Sequence, residues 1–118
     1  MYYIEIYENA NGRSEIKEYI RELQEKRDKD SRIKVNKIIS YIRMLKDKGI
    51  TLGEPYIKQI EGDIWELRPI RNRILFAYCD NNTFVLLSIF IKQTQKTPRN
   101  EIEKALRLLE DYKRRRKW

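Results

Sequence analysis

The 118-residue chain predicts an α+β fold: an antiparallel sheet with helices packed on one of its faces, in the order strand, two helices, three strands, helix. Three observations carry this expectation. Apolar residues recur with helical spacing in three segments, they alternate with a period of two between residues 64 and 92, and turn-forming residues mark each change of period. Length and composition agree with a single domain over residues 1–118. Although 37% of the residues are charged, the 41% that are hydrophobic are clustered, and a chain of this size can bury a core.

The elements follow in order. Tyr2 to Glu8 has the β-branched and aromatic content of a strand, and Asn9 to Gly12 ends it with turn residues. Ser14 is placed to cap a helix whose Ile16, Tyr19, Ile20 and Leu23 form one apolar stripe. The charged stretch QEKRDKD then leads out to solvent. Ser31 is expected to cap a second helix with Val35, Ile38, Ile39, Ile42 and Leu45 on its inner side, stopped by Gly49, so that the two helices form an antiparallel hairpin. Gly53 and Pro55 interrupt the chain, and Tyr56 to Gly62, which carries Lys58, reads equally as a short strand or a loop. Ile64–Arg68, Arg73–Cys79 and Thr83–Lys92 then alternate like the strands of an antiparallel meander, separated by PIRN and DNN. Thr97 and Pro98 open the last helix, with Ile102, Ala105, Leu106, Leu109 and Tyr112 inward, and this helix is expected to dissolve into a basic tail at about residues 113–118.

The net charge of +8 favours a polyanion or an acidic protein as partner. Its distribution is uneven. Residues 1–63 hold thirteen basic and twelve acidic side chains, whereas residues 64–118 hold thirteen basic and six acidic. The single cysteine, Cys79, lies in a strand-like run and reads as a small buried hydrophobe; with no histidine in the chain it makes neither an internal disulfide nor a common zinc site, and no cofactor is expected. The longest apolar stretch, FVLLSIFI at 84–91, is far short of the roughly 20 residues that cross a bilayer, and the first residues are strand-like rather than a secretory signal. No membrane association is expected, and the cytoplasm is the default location.

Pairing across a four-residue PIRN loop puts Arg68 opposite Arg73, Leu67 opposite Ile74, Glu66 opposite Leu75 and Trp65 opposite Phe76. Alternation then gives Trp65, Leu67, Ile74 and Phe76 a common apolar face and leaves Glu66, Arg68 and Arg73 on the other. On the last strand Val85, Leu87, Ile89 and Ile91 form the better apolar set, with Leu86, Ser88, Phe90 and Lys92 opposite. A two-residue Asn81-Asn82 turn places Phe90 across from Arg73, so Arg68, Arg73 and Lys92 converge on a basic cleft. Facing arginines repel one another unless Glu66 screens them or an anion binds between them. The plainer alternative is ion pairing with Glu66 on a solvated face, and for Lys92 and Lys96 an ordinary exposed loop. Tyr19, Tyr112 and Trp65 belong to the core by position; Tyr56, Tyr78 and Phe90 remain open, Phe90 being best placed by strand parity to stack a base.

The strings IWELRPIRNRILFAY and FIKQTQKTPRNEIEKALRLLEDY, in this order of elements, resemble the RelE/ParE superfamily of toxins, specifically its HigB-type, phage-related branch, over essentially the whole chain. The resemblance implies a RelE-like fold. It also implies a toxin of a type II toxin-antitoxin system: a ribosome-dependent, metal-independent endoribonuclease that cuts messenger RNA by 2′-hydroxyl attack on the phosphate. Such a toxin is neutralised by a cognate HigA-like antitoxin with a helix-turn-helix fold, and reaches DNA only through that partner. Carried over residue by residue, Arg68 and Arg73 match basic positions on the middle strands and Lys92 the basic position near the end of the last strand. Lys96 lies nearby. The catalytic set so implied is Arg68, Arg73, Lys92, Lys96 and Glu66, with Lys58, Arg71, Phe90 and Arg99 as further RNA contacts. The arginines would grip the scissile phosphate. Lys92 first, Lys96 second, or Glu66 as base would move the protons. The chain departs from several members in having no histidine and no tyrosine between Tyr78 and Tyr112. ParE-type relatives share the fold and poison DNA gyrase, so a gyrase inhibitor or a basic nucleic-acid adaptor is the alternative reading.

Overall fold

The structure is a computed structural model that describes residues 1–116. It contains β1 (Tyr3–Ile6), α1 (Glu15–Lys26), α2 (Lys29–Lys48), a 3₁₀ turn (Gly49–Leu52), β2 (Ile57–Glu61), β3 (Ile64–Leu67), β4 (Asn72–Cys79), β5 (Thr83–Ile91) and α3 (Arg99–Arg116). The class is α+β, as the periodicities predict. The segment that read equally as strand or loop is β2, so the sheet has five strands, in the order β1-β5-β4-β3-β2. β3 to β5 form the expected antiparallel meander, which β2 extends by pairing antiparallel with β3, while β1 runs parallel to β5, which makes the sheet mixed.

Helices cover both faces of the sheet, not one. Leu67, Ile74, Phe76, Phe84, Leu86 and Ile89 pack with Ile16, Leu23, Val35, Ile38 and Leu45 of the helical hairpin. On the opposite face Ile64, Leu75, Ala77, Val85 and Leu87 pack with Ala105, Leu109 and Tyr112 of α3. The physical reason is visible in β4 and β5: a strand with apolar residues at successive positions has two faces to bury, and each needs a cover. Trp65, Tyr19 and Tyr112 pack in these cores as their positions suggested. Cys79 is a half-buried free thiol packed against the α3 side, and burial pushes its pKa up.

Local chemistry fixes the helix ends. The Ser14 hydroxyl accepts from the Lys17 amide at the start of α1, as expected. The cap of α2 is Asp28, not Ser31: its carboxylate accepts from the Ser31 amide at 2.7 Å and from the Ser31 hydroxyl at 3.1 Å. The charged stretch is exposed throughout, as expected, but most of it is helical: it spans the end of α1 and the start of α2, and Arg27, in the left-handed region at φ 60°, turns the chain directly from one helix into the other. Gly49 ends α2 at φ 61°, and a Cβ there would lie 2.6 Å from the Tyr2 ring, so both conformation and space demand glycine. The end of α3 also differs from expectation. The helix continues to Arg116, because Arg114 and Arg115 pair with Asp111, Lys113 with Asp63 and Arg116 with Glu5. Lys117 and Trp118 lie outside the described residues. No helix among the described residues is long and apolar enough to cross a membrane.

The strand register decides what faces what. Trp65, Glu66 and Leu67 pair with Phe76, Leu75 and Ile74 as predicted, although β3 ends at Leu67 and leaves Arg68 just beyond it. Phe90 does pair with Arg73, by way of two departures that cancel. The β4–β5 turn has three residues between the paired Cys79 and Thr83, and one extra residue, Leu87, bulges from β5 between the Leu75–Ser88 and Phe76–Leu86 pairs. The bulge also reverses strand parity. Phe84, Leu86 and Ile89 therefore share the hairpin face while Val85 and Leu87 face α3, in place of the uniform Val85, Leu87, Ile89, Ile91 set.

Candidate active site

β3 ends, β4 begins and β5 ends at the same edge of the molecule, and the segment from Lys92 to Pro98 crosses that edge to reach α3. Between them lies a small cleft lined by Glu66, Arg73, Phe90, Lys92, Lys96 and Thr97, with Gln93, Thr94, Gln95 and Pro98 completing the wall.

Glu66 is the centre of this arrangement. It is only 2% exposed. Oε1 accepts from Arg68 Nε at 2.9 Å and lies 3.8 Å from Arg73 Nε, while Oε2 accepts from the Thr97 hydroxyl at 2.7 Å. A carboxylate so deeply buried is tolerated because its charge is matched by guanidinium groups and both of its oxygens are hydrogen-bonded. The repulsion expected between the two arginines is thus screened by an acid lying against both.

Arg73 is held from the other side as well. Its Nη1 donates to the backbone carbonyls of Ile70 and Asn72, each at 2.8 Å. Burial pushes the Arg73 pKa down and the Glu66 carboxylate opposes this, with Arg68 and Arg71 adding to the depression. Ile70 reaches this geometry in the left-handed region at φ 57°, an unfavourable conformation for a β-branched residue. The strained turn aims its carbonyl at Arg73, so the guanidinium is fixed before any ligand arrives.

Lys92 and Lys96 stand on the far wall. The Lys92 amide donates to the Arg71 carbonyl at 2.7 Å and its carbonyl accepts from Arg71 Nη2 at 3.1 Å, a reciprocal clamp between the β3–β4 turn and the end of β5. Thr94 Oγ1 donates to the Lys96 carbonyl at 2.8 Å and shapes the loop around that lysine. Lys58 pairs in register with Glu66 and is exposed, which puts it at the rim.

Five residues singled out from sequence therefore line one cleft: Glu66, Arg73, Phe90, Lys92 and Lys96. Arg68 is bonded to its acid, and Arg71 and Lys58 border it. Arg99 is placed otherwise. Its guanidinium contacts Glu61 at 2.5 and 3.1 Å and Glu103 at 3.3 Å, so it ties α3 to β2 instead of facing the cleft. Of the three open aromatics only Phe90 borders the cleft; Tyr56 packs on Tyr41, and Tyr78 packs on Tyr2 and Phe84.

Thr97 is the residue that sequence reasoning missed. Read from sequence it belongs to a helix start, but the first helical hydrogen bonds go to the Pro98 carbonyl, leaving the Thr97 hydroxyl to reach Glu66. Its neighbour 31 positions earlier could not have been named from local spacing. Among the described residues no group of three or more His, Cys, Asp or Glu side chains could hold a metal ion.

Chemically, the lining brings a fixed guanidinium, two lysines and an aromatic ring, the residue types that contact phosphates and bases, around a narrow space of only about 10 Å³. The five-stranded mixed sheet with three helices, carrying this basic cleft, has the architecture of a RelE-like fold. The profile of the family described as Phage derived protein Gp49-like (DUF891) matches residues 18–110. The chain belongs to that family, and through it to the RelE/ParE-like toxin superfamily. No curated protein gives a match to the chain.

Proposed function

We propose that the protein is the toxin of a type II toxin-antitoxin system, of the HigB type, acting in the cytoplasm as a ribosome-dependent endoribonuclease. The observation that carries this reading is the convergence of Arg73, Lys92, Lys96 and Phe90 around one cleft, on residues matched by the profile of the Gp49-like family.

In this reading Arg73 contacts the scissile phosphate, with Arg68 beside it, and their hydrogen bonds strengthen as negative charge builds on the phosphorane. Arginine does not titrate usefully, so proton transfer falls to the lysines. Lys92 takes the proton of the attacking 2′-oxygen, or delivers one to the departing 5′-oxygen, and Lys96 serves the other end. Glu66 acts as a positioning residue, since both of its oxygens are already engaged. Phe90 stacks a base next to the cut, and Lys58 and Arg71 draw in the flanking phosphates. The reaction needs no cofactor, and the message is bent for in-line attack by the ribosome. A HigA-like antitoxin with a helix-turn-helix domain restrains the toxin and brings the pair to DNA.

Arg73→Ala tests the assignment. Loss of one preorganised donor costs about 2–4 kcal/mol of transition-state stabilisation, or roughly thirtyfold to a thousandfold in rate. Primer extension on messages from expressing cells should show discrete cuts within translated codons for the native chain and nearly none for the variant, at equal protein level. Undiminished cutting by Arg73→Ala would sink the catalytic assignment, and intact messages accompanied by a DNA-damage response would replace it with gyrase poisoning.

A further inference from the structure

The halves of the sequence give no warning of where uncompensated positive charge collects. In the fold, cations of the second half meet carboxylates of the first: Arg99 pairs with Glu61, Lys104 with Glu15, Lys113 with Asp63 and Arg116 with Glu5. α2 is treated differently. Its 20 residues include seven basic and two acidic side chains, and among the described residues none of the seven basic groups forms a salt bridge. All seven are exposed, since α2 turns Ser31, Val35, Ile38 and Leu45 toward the sheet.

Helix geometry arranges these charges in rows. Arg32 and Arg43 are eleven positions apart, about three turns, so they lie on one line roughly 16 Å apart along the axis. Lys37 and Lys48 have the same separation on a second line further round the exposed side. The surface between them is poor in apolar groups, Ile33 being the exposed large hydrophobic residue of the helix.

From this we infer that the exposed side of α2 is a docking surface for the phosphate backbone of base-paired RNA, separate from the cleft. Three features select that partner. Protein interfaces are depleted in lysine and built around aromatic and apolar anchors, which α2 does not present. Single-stranded RNA is held by stacking on exposed aromatic rings, and Tyr41, the one aromatic of the helix, packs against Tyr56. Rows of unpaired cations on a rigid rod suit regularly spaced phosphates, which are recognised by charge and shape. Docking of this kind is independent of cleavage: a protein that cuts nothing would still use this side to sit on folded RNA, and a toxin would use it to seat the cleft on a ribosome.

The test is a protein carrying Arg32→Gln, Lys37→Gln and Arg43→Gln, titrated with a fluorescent RNA duplex of about 20 base pairs at several salt concentrations. The affinity at low salt should fall at least about tenfold, and the slope of log K against log salt should flatten by about two to three, one for each phosphate that is no longer neutralised. An Arg107→Gln protein, which removes an exposed cation of α3 outside the cleft, should bind the duplex like the native chain, and message cutting by the Arg73→Ala protein is read separately, which separates failure here from failure of the cleft reading. Thermal melting of the triple variant should match the native chain, since all three side chains are solvent-exposed. Unchanged duplex affinity and slope would overturn the inference. So would loss of polyglutamate binding with duplex binding intact, because the surface would then be built for an acidic protein.

Discussion

At the scale of single residues, the cleft depends on a hydrogen bond between residues 66 and 97. Glu66 is not exposed enough to meet substrate directly, but it orders both arginines and, through Thr97, the loop that carries Lys92 and Lys96. Thr97→Val keeps the shape of the side chain and removes the donor, leaving one oxygen of a buried carboxylate unpaired, at a cost of about 1–3 kcal/mol. The expected outcome is a lower thermal midpoint together with message cleavage reduced at least about tenfold, both restored by Thr97→Ser. A variant that melts lower yet cuts at the native rate would show that the bond stabilises the fold without positioning the lysines. This link also marks the limit of local reading. The glutamate and the threonine are each ordinary in sequence, and only the pairing of β3 with β4 and the path of the chain into α3 bring them within 2.7 Å.

At the scale of elements, side-chain caps and one bulge determine where each piece starts and what it presents. Ser14 was legible because a small hydroxyl residue directly preceded an apolar stripe. Ser31 misled because Asp28, three residues earlier, also caps, and the carboxylate takes both the amide and the hydroxyl of that serine. Ser14→Ala should lower stability by about 1 kcal/mol in chemical denaturation. In α2, Asp28→Ala should lower the thermal midpoint more than Ser31→Ala does; the opposite order would return the cap to Ser31. The bulge at Leu87 was not legible at all. A strand that is apolar on both sides offers no alternation to betray a slipped residue, so the face of each side chain in β5 had to come from its partner strand.

At the scale of the whole molecule, charge is organised by long-range pairing, and pH dependence follows from it. Asp28, Glu61 and Asp111 all have pKa values below their ordinary ones, through the Ser31 amide, Arg99 and the Tyr7 hydroxyl respectively. A depressed carboxylate contributes stability that is present above its unfolded pKa and lost as pH falls through its folded pKa. Burial raises the Tyr7 and Tyr112 pKa values above 10.0, helped by hydrogen bonds to Asp111 and Glu5, so their contribution is complete below pH 10.0 and lost as pH rises further. Thermal midpoints should therefore be level across neutral pH, decline below the ordinary carboxylate values of 3.8 to 4.5, begin to decline again above 9.0, the ordinary value of the half-buried Cys79 thiol, and decline further above 10.0. Tyr112→Phe should weaken the alkaline decline while lowering the neutral midpoint. A midpoint falling steadily between pH 5 and 9 would contradict these assignments.

What the amino-acid order determined by itself was local: the alternation of periods that makes an α+β chain, the three helices and the meander, and the β3–β4 pairing that brings Glu66 and Arg73 together. Helical and strand spacing are properties of neighbours, and neighbours are all that a linear reading contains. The tertiary structure alone decided the second helix-covered face, the parallel placement of β1, the Glu66–Thr97 link and the neutralisation of α3 while α2 stays uncompensated. Each of these depends on contact between residues distant along the chain, where burial and charge pairing act through space and leave no periodic trace in sequence.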